Sequence, residues 1–192
     1  MIELSPPLRI ATENDAAALA DLVNFAGEGL PLHIWKGLAE EGQDPWQIGR
    51  ARQADKAREG QVVVVDLGDG AIASLTGYSI GSSPEEVTDD FPPLFRPLQE
   101  LENQALDSWY VNVLASYPEQ RGKGFGSLLL DVADEIGRST GSPQMSVIVA
   151  SNNAGARRLY ERKGYMERAT APCLKNGWET ETEHWVLLTK YL

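Results

Sequence analysis

The sequence predicts an α/β (α+β) fold in a single domain spanning residues 1–192, and three observations predict it. A chain of 192 residues is long enough for one sizeable core and only marginally long enough for two. Strand and helix signals alternate along it, with no internal repeat and no low-complexity tract. Its composition, 42% hydrophobic and 23% charged, is that of an ordinary globular protein.

The elements follow in order. "PLRIA" reads as a short first strand, and Thr12 or Asn14 can cap the helix that follows. In that helix Ala18, Leu19, Leu22, Val23 and Ala26 recur at helical spacing, and Gly27 and Gly29 close it. A second helical region spans about 32–57 and breaks near "GQDP". "QVVVVDLGDGAIASLTGYSI" reads as two strands joined by a tight turn at Gly68–Gly70. Residues 81–93, "GSSPEEVTDDFPP", form an acidic, proline-bearing connection that is expected to be mobile and could serve as a substrate lid. "LFRPLQELENQA" is a short helix with Pro97 near its start. "SWYVNVLASYP" is rich in aromatic and β-branched residues and predicts a buried central strand ending before Pro118. Phe125, Leu128, Leu129, Val132, Ala133 and Ile136 then share one helical face. "QMSVIVA" is another strand, and "NNAGARRLYERKGY" another helix, stopped by Gly164. An antiparallel pair around Asn176 and Gly177 closes the chain.

Several function classes are disfavoured. No apolar run approaches the roughly 20 residues that a membrane span needs, and the start "MIELSPPLRIATENDAA" lacks the basic and apolar regions of a signal peptide. A cytoplasmic protein without membrane contact is therefore expected. The lone Cys173 excludes an internal disulfide framework, and "TAPCLKNGW" carries no nucleophile signature. His33 and His184 lack metal-ligand spacing, so no metal site is expected. A net charge of -11 argues against nucleic acid as a partner. The charge is uneven: seven acids and one base lie between Pro84 and Asp107, whereas nine bases lie between Arg121 and Lys175. Such a division could serve two ligands of opposite sign, although solvated faces would account for it equally well.

The informative stretch is "RGKGFGS", set between a strand and a helix. The first N–H groups of a helix have no intrahelical partner, and the aligned peptide dipoles add partial positive charge there. Glycines let an anion approach that bare backbone with no Cβ in the way. The spacing supplies no Gly-Lys-Ser/Thr step of a Walker loop, and Gly122, Gly124 and Gly126 alternate as G-x-G-x-G rather than the dinucleotide-binding G-x-G-x-x-G. Tight packing of the helix on its strand would also explain the glycines, but it leaves Arg121 and Lys123 unexplained.

Arg121-x-x-Gly124-x-Gly126, preceded by "YPE" and followed by "SLLL", resembles the acyl-CoA signature of the GNAT superfamily of N-acetyltransferases. Asn153-x-x-Ala156-x-x-Leu159-Tyr160-x-x-x-Gly164-Tyr165 resembles the family's following helix, with Tyr165 where phenylalanine is commoner. The resemblance is specific from about Trp109 to Ala169. It implies a mixed, twisted sheet flanked by helices, whose central parallel strands splay to admit the pantetheine arm of acetyl-CoA, the acyl donor. It also implies that the backbone of Arg121, Gly122, Lys123, Gly124, Phe125, Gly126 and Ser127 holds the pyrophosphate, with the Arg121 and Lys123 charges nearby. The backbone of Leu114 and Ser116 would pair with pantetheine and the thioester carbonyl, Ser116 standing where valine is common. Asn153 would bond the pantetheine arm, or cap its helix.

Tyr160 is implied to be the general acid that protonates the departing sulfur; a core tyrosine is the alternative. No base is readable: "WYVNVLASY" offers only Tyr110 and Asn112 on one alternate face, and Glu100, Glu102 and Asp107 precede it, with a water chain equally open. In the family, the region between the first two helices shapes the acceptor pocket, which makes His33 and Trp35, with Tyr110 and Asn112, candidate substrate contacts. Packing explains Trp35 and Trp46 just as well. The expected function is transfer of an acetyl group from acetyl-CoA to a primary amine, on a small molecule or a protein, by direct attack. A non-catalytic acyl-CoA-binding or sensing module is the alternative, and a homodimer is an open expectation.

Overall fold

The computed structural model describes residues 3–192. The chain forms two compact units, one of residues up to 76 with 113–129, the other of 77–112 with 130–192.

In the first unit, β1 (Leu8–Ile10) runs antiparallel to β2 (Val63–Asp66), which pairs antiparallel with β3 (Ala71–Ser79). The β2–β3 turn follows from its residues. Gly68 and Gly70 take φ of 118° and 102°, and Asp66 Oδ1 accepts from their N–H groups at 2.7 and 3.0 Å. Arg9 on β1 donates to Asp66 and, through both terminal nitrogens, to Asp15. Thr12, one of the two expected caps, starts a 3-10 turn (Glu13–Asp15) in which its N–H and hydroxyl both donate to Asp15. That turn leads into α1 (Ala16–Ala26), which buries Leu19, Ala20 and Leu22. Leu19 packs with Ala11, Ala57, Val62, Val64 and Ala71. Burial of one such leucine contributes roughly 1.5–3 kcal/mol.

The expected second helical region is two helices, α2 (Leu30–Leu38) and α3 (Pro45–Arg58), and the break falls at "GQDP" for a local reason. Asp44 caps α3 by accepting from Trp46 N–H at 3.0 Å, and Pro45 occupies the first turn, where its missing N–H costs nothing.

In the second unit, α4 (Arg96–Glu102) precedes β4 (Ser108–Ser116), whose residues up to Asn112 belong here, as does α5 (Phe125–Ser139) from Leu130 onward. β5 (Gln144–Ala150), α6 (Ala154–Arg162), β6 (Met166–Pro172) and β7 (His184–Tyr191) complete it. The parallel β4–β5 ladder pairs Ser108 with Gln144 and ends at Val111–Val147, while β5 continues to Ala150. β7 pairs antiparallel with β5 from Gln144–Tyr191 to Ala150–Trp185, and with β6 on its other side. Gly137 on α5 sits where a Cβ would lie 2.5 Å from Met145 Sδ, so the helix packs closely on β5.

The seven strands form one mixed sheet in the order β1-β2-β3-β4-β5-β7-β6. The acidic connection 81–93 has no regular structure but is tethered. Asn103 exchanges two hydrogen bonds with the Glu85 backbone at 2.8 and 2.9 Å, and Arg96 donates to the Thr88 carbonyl at 2.9 Å.

Candidate active site

In the first unit β4 leads through a glycine turn into α5. After Ser116 the chain is held by Tyr117, whose N–H donates to the Ile72 carbonyl at 3.1 Å and whose hydroxyl donates to Asp21 on α1 at 2.9 Å. Phe25 packs edge-on against the Tyr117 ring at 6.0 Å. A 3-10 turn (Pro118–Gln120) follows, then Gly122 and Gly124 at φ 77° and 92°, a conformation that other residues adopt only with strain. A Cβ at either glycine would meet nothing within 4 Å, so packing against the strand does not require them.

Among the described residues, no acceptor is bonded to the N–H groups of Gly124 through Ser127. The first bond of the helix runs from Leu128 N–H to the Gly124 carbonyl at 3.0 Å. Four consecutive donors at a helix start are thus free, with Arg121, Gly122, Lys123 and Gly124 exposed and Phe125, Gly126 and Ser127 half-buried. Lys123 Nζ is within 2.9 Å of Gln120 Oε1. Leu114 and Ser116 lie half-buried on the β4 segment that enters this turn.

The second unit gathers phenols. Tyr160 on α6 is 4% exposed, its ring 5.6 Å from that of Tyr165. Among the described residues its hydroxyl has no hydrogen-bond partner, and burial raises its pKa well above the usual phenol value. It is therefore a neutral donor at physiological pH. Asn153 caps α6 by accepting from Ala156 N–H at 3.1 Å, so the capping role is present. On β4, Tyr110 is buried and Asn112 is exposed. The Tyr110 and Tyr78 rings lie 5.2 Å apart, and Tyr78 Oη donates to Glu102 at 2.9 Å. Gly77 makes this neighbourhood possible, because a Cβ there would fall 2.3 Å from the Trp109 ring and 2.4 Å from the Tyr110 carbonyl.

Tyr78 was not a sequence candidate; no local period links positions 78 and 102, so no signal could have found the pair. His33 is half-buried on α2 in the first unit. Trp35, expected as a pocket wall, lies in the α2–α3 core at 3% exposure. Its ring meets Trp46 edge-on at 5.6 Å and occupies the space over Gly49, where a Cβ would be 2.5 Å away. Among the described residues, no group of three or more His, Cys, Asp or Glu side chains could hold a metal ion, and no helix is long and apolar enough to cross a membrane.

A strand, a glycine turn with bare helical donors and a mixed sheet with a parallel pair together define an α/β domain. The model of the acetyltransferase (GNAT) family matches residues 33–165, more than half of the chain, and the chain belongs to that family. An uncharacterized N-acetyltransferase, YycN of Bacillus subtilis (strain 168), is 39% identical over 51 residues, 27% of this chain; the match spans a third of that relative's length (33%). A ribosomal-protein-alanine N-acetyltransferase from Brucella melitensis has 21% identity, with 96% of this chain and 99% of that one covered at a TM-score of 0.61. A GNAT family acetyltransferase from Elizabethkingia anophelis, with acetyl-CoA bound, has 13% identity over 68% of this chain and 75% of that one, at a TM-score of 0.50. At these identities the two structures establish the fold.

Proposed function

We propose that the chain is an N-acetyltransferase that moves an acetyl group from acetyl-CoA to a primary amine by direct attack. The observation that carries this reading is the run of four unpaired N–H groups at the start of α5, reached through two left-handed glycines and flanked by exposed Arg121 and Lys123. These groups fit a pyrophosphate: they supply donors and positive potential, and no side chain stands in the approach. When bound, acetyl-CoA supplies a thioester, an acyl group activated toward amine attack. The chain's own contributions are then separable. Residues 121–127 hold the pyrophosphate, the Leu114 and Ser116 backbone aligns the extended arm as a strand would, and Asn153 adds a contact to it.

Tyr160 acts as the general acid. Its hydroxyl is neutral and, among the described residues, without a hydrogen-bond partner, so it can give its proton to the departing sulfur. Tyr110, Asn112 and His33 contact the acceptor, whereas Trp35 is left to the core. The acids of 84–107 favour a cationic acceptor, a small amine or a protein amino group, through their field. A cytoplasmic setting accords with the single, free Cys173.

The test is Tyr160→Phe. A proton donor of this kind contributes about 100- to 10,000-fold, so turnover falls by that order while acetyl-CoA affinity is retained. Turnover equal to wild type in a steady-state assay removes the role.

A further inference from the structure

An ammonium must lose a proton before its nitrogen can attack, and the three acids that precede β4 differ sharply once folded. Glu100 and Asp107 are exposed. Glu102, at the end of α4, is half-buried and accepts from Tyr78 Oη at 2.9 Å. Desolvation raises its pKa, the hydrogen bond from Tyr78 opposes that rise, and the neighbouring charge of Glu85 adds to it. Tyr110 is 6% exposed, and the charges felt by its hydroxyl are Glu102, Tyr78 and Tyr160. Among the described residues neither Tyr110 nor Tyr160 has a hydrogen-bonded hydroxyl. The occluded, unpartnered polar atoms are instead Ser74 Oγ, Asp134 Oδ1, Arg157 Nε and Tyr165 Oη. The Tyr110 and Tyr160 side chains are both buried. A half-buried carboxylate held by one phenol, whose ring lies 5.2 Å from that of a second, offers an acceptor to a polar group from outside the chain.

We propose that Glu102, positioned by Tyr78, is the proton acceptor for a primary ammonium substrate, with Tyr110 lining the path between it and Tyr160. This rests on the acetyltransferase reading above. The ammonium gives one proton to the Glu102 carboxylate, and the freed amine forms the C–N bond as the C–S bond breaks. Tyr160 gives its proton to sulfur and recovers one from the acylated nitrogen. The sum is one amide, one thiol and one protonated Glu102, which then discharges to water.

The groups acting on Glu102 are Tyr78 on β3, Glu85 in the 81–93 connection and Tyr110 on β4. On β6, Arg168 is tied to the Gln104 carbonyl and Glu167 to Arg157. Tyr78 bonds the ionised carboxylate and so lowers its pKa; Tyr78→Phe moves the rising limb of the kcat/KM–pH profile to higher pH. Glu102→Gln removes that limb and lowers kcat/KM near neutral pH by about 100- to 10,000-fold, with acetyl-CoA affinity unchanged, whereas Glu102→Asp restores part of the rate. The experiment is the pH profile of CoA thiol release for the wild type and these three variants, with a diamine as acceptor. A Glu102→Gln profile matching that of an active wild type overturns the inference alone, and so does a limb unmoved by Tyr78→Phe. Absence of thiol release from the wild type overturns the acetyltransferase reading with it.

Discussion

Gly122, Gly124 and Gly141 form a natural matched set. Each has a positive φ, at 77°, 92° and 77°, and each would place a new Cβ in open space. Alanine at any of them introduces left-handed strain of about 1–2 kcal/mol without a clash. In a chain of this length that lowers Tm by about 2–8 °C. Only the first two glycines lie beside the free N–H groups that start α5. A methyl group there keeps an anion from at least one donor, and a hydrogen bond to a charged group is worth about 1.5–3 kcal/mol. Acetyl-CoA affinity should then fall about 10- to 150-fold for Gly124→Ala. For Gly141→Ala, in the turn after α5, the melting point should fall similarly and the affinity should hold. Calorimetric titration with acetyl-CoA, alongside thermal melts, separates strain from obstruction. If Gly122→Ala and Gly124→Ala bind acetyl-CoA as tightly as Gly141→Ala, the cradle argument is wrong.

Two stability predictions probe the surrounding scaffold. Gly49→Ala gains about 1 kcal/mol in helix propensity, yet its Cβ would sit 2.5 Å from the Trp35 ring; overpacking costs about 1–3 kcal/mol, so the urea midpoint should drop, and an unchanged or raised midpoint would refute the tight α2–α3 seam. The Arg9 hydrogen bond is the main cause holding the Asp15 carboxyl below the usual carboxylate range, against desolvation. A depressed folded pKa means stability that is present above the unfolded value of about 3.9 and lost as pH falls through the folded one. Arg9→Met should therefore move the acid-unfolding midpoint upward in a circular-dichroism titration, and an unmoved midpoint would mean that the pair carries no linked stability.

The parts of this molecule that were legible in its sequence are those decided locally. "QMSVIVA" coincides with β5, the face of Phe125, Leu128, Leu129, Val132, Ala133 and Ile136 belongs to α5, and the break near "GQDP" falls just before α3. The glycine turn before α5 was legible for the same reason, since left-handed glycines and first-turn helical donors are properties of a few consecutive residues. Trp35 was not, because its burial depends on Gly49 one helix later presenting no side chain. Glu102 could not be told from Glu100 or Asp107 until the fold brought Tyr78 to it across 24 positions. The 81–93 connection read as mobile, but its anchors, Asn103 and Arg96, lie beyond it in the chain. Tertiary partners decide such residues, and hydrophobic periodicity carries no record of them.

The central claim is acyl transfer from acetyl-CoA to a cationic primary amine, and the most direct measurement is free CoA thiol released when a panel of polyamines, aminoglycosides, basic peptides and neutral amino acids is added to the wild-type chain. Amine-dependent thiol release, strongest with the cationic acceptors, is the expected result. Acetyl-CoA bound without thiol release on any amine would mark a non-catalytic binding module, and release with neutral amino acids alone would contradict the role given to the acidic stretch.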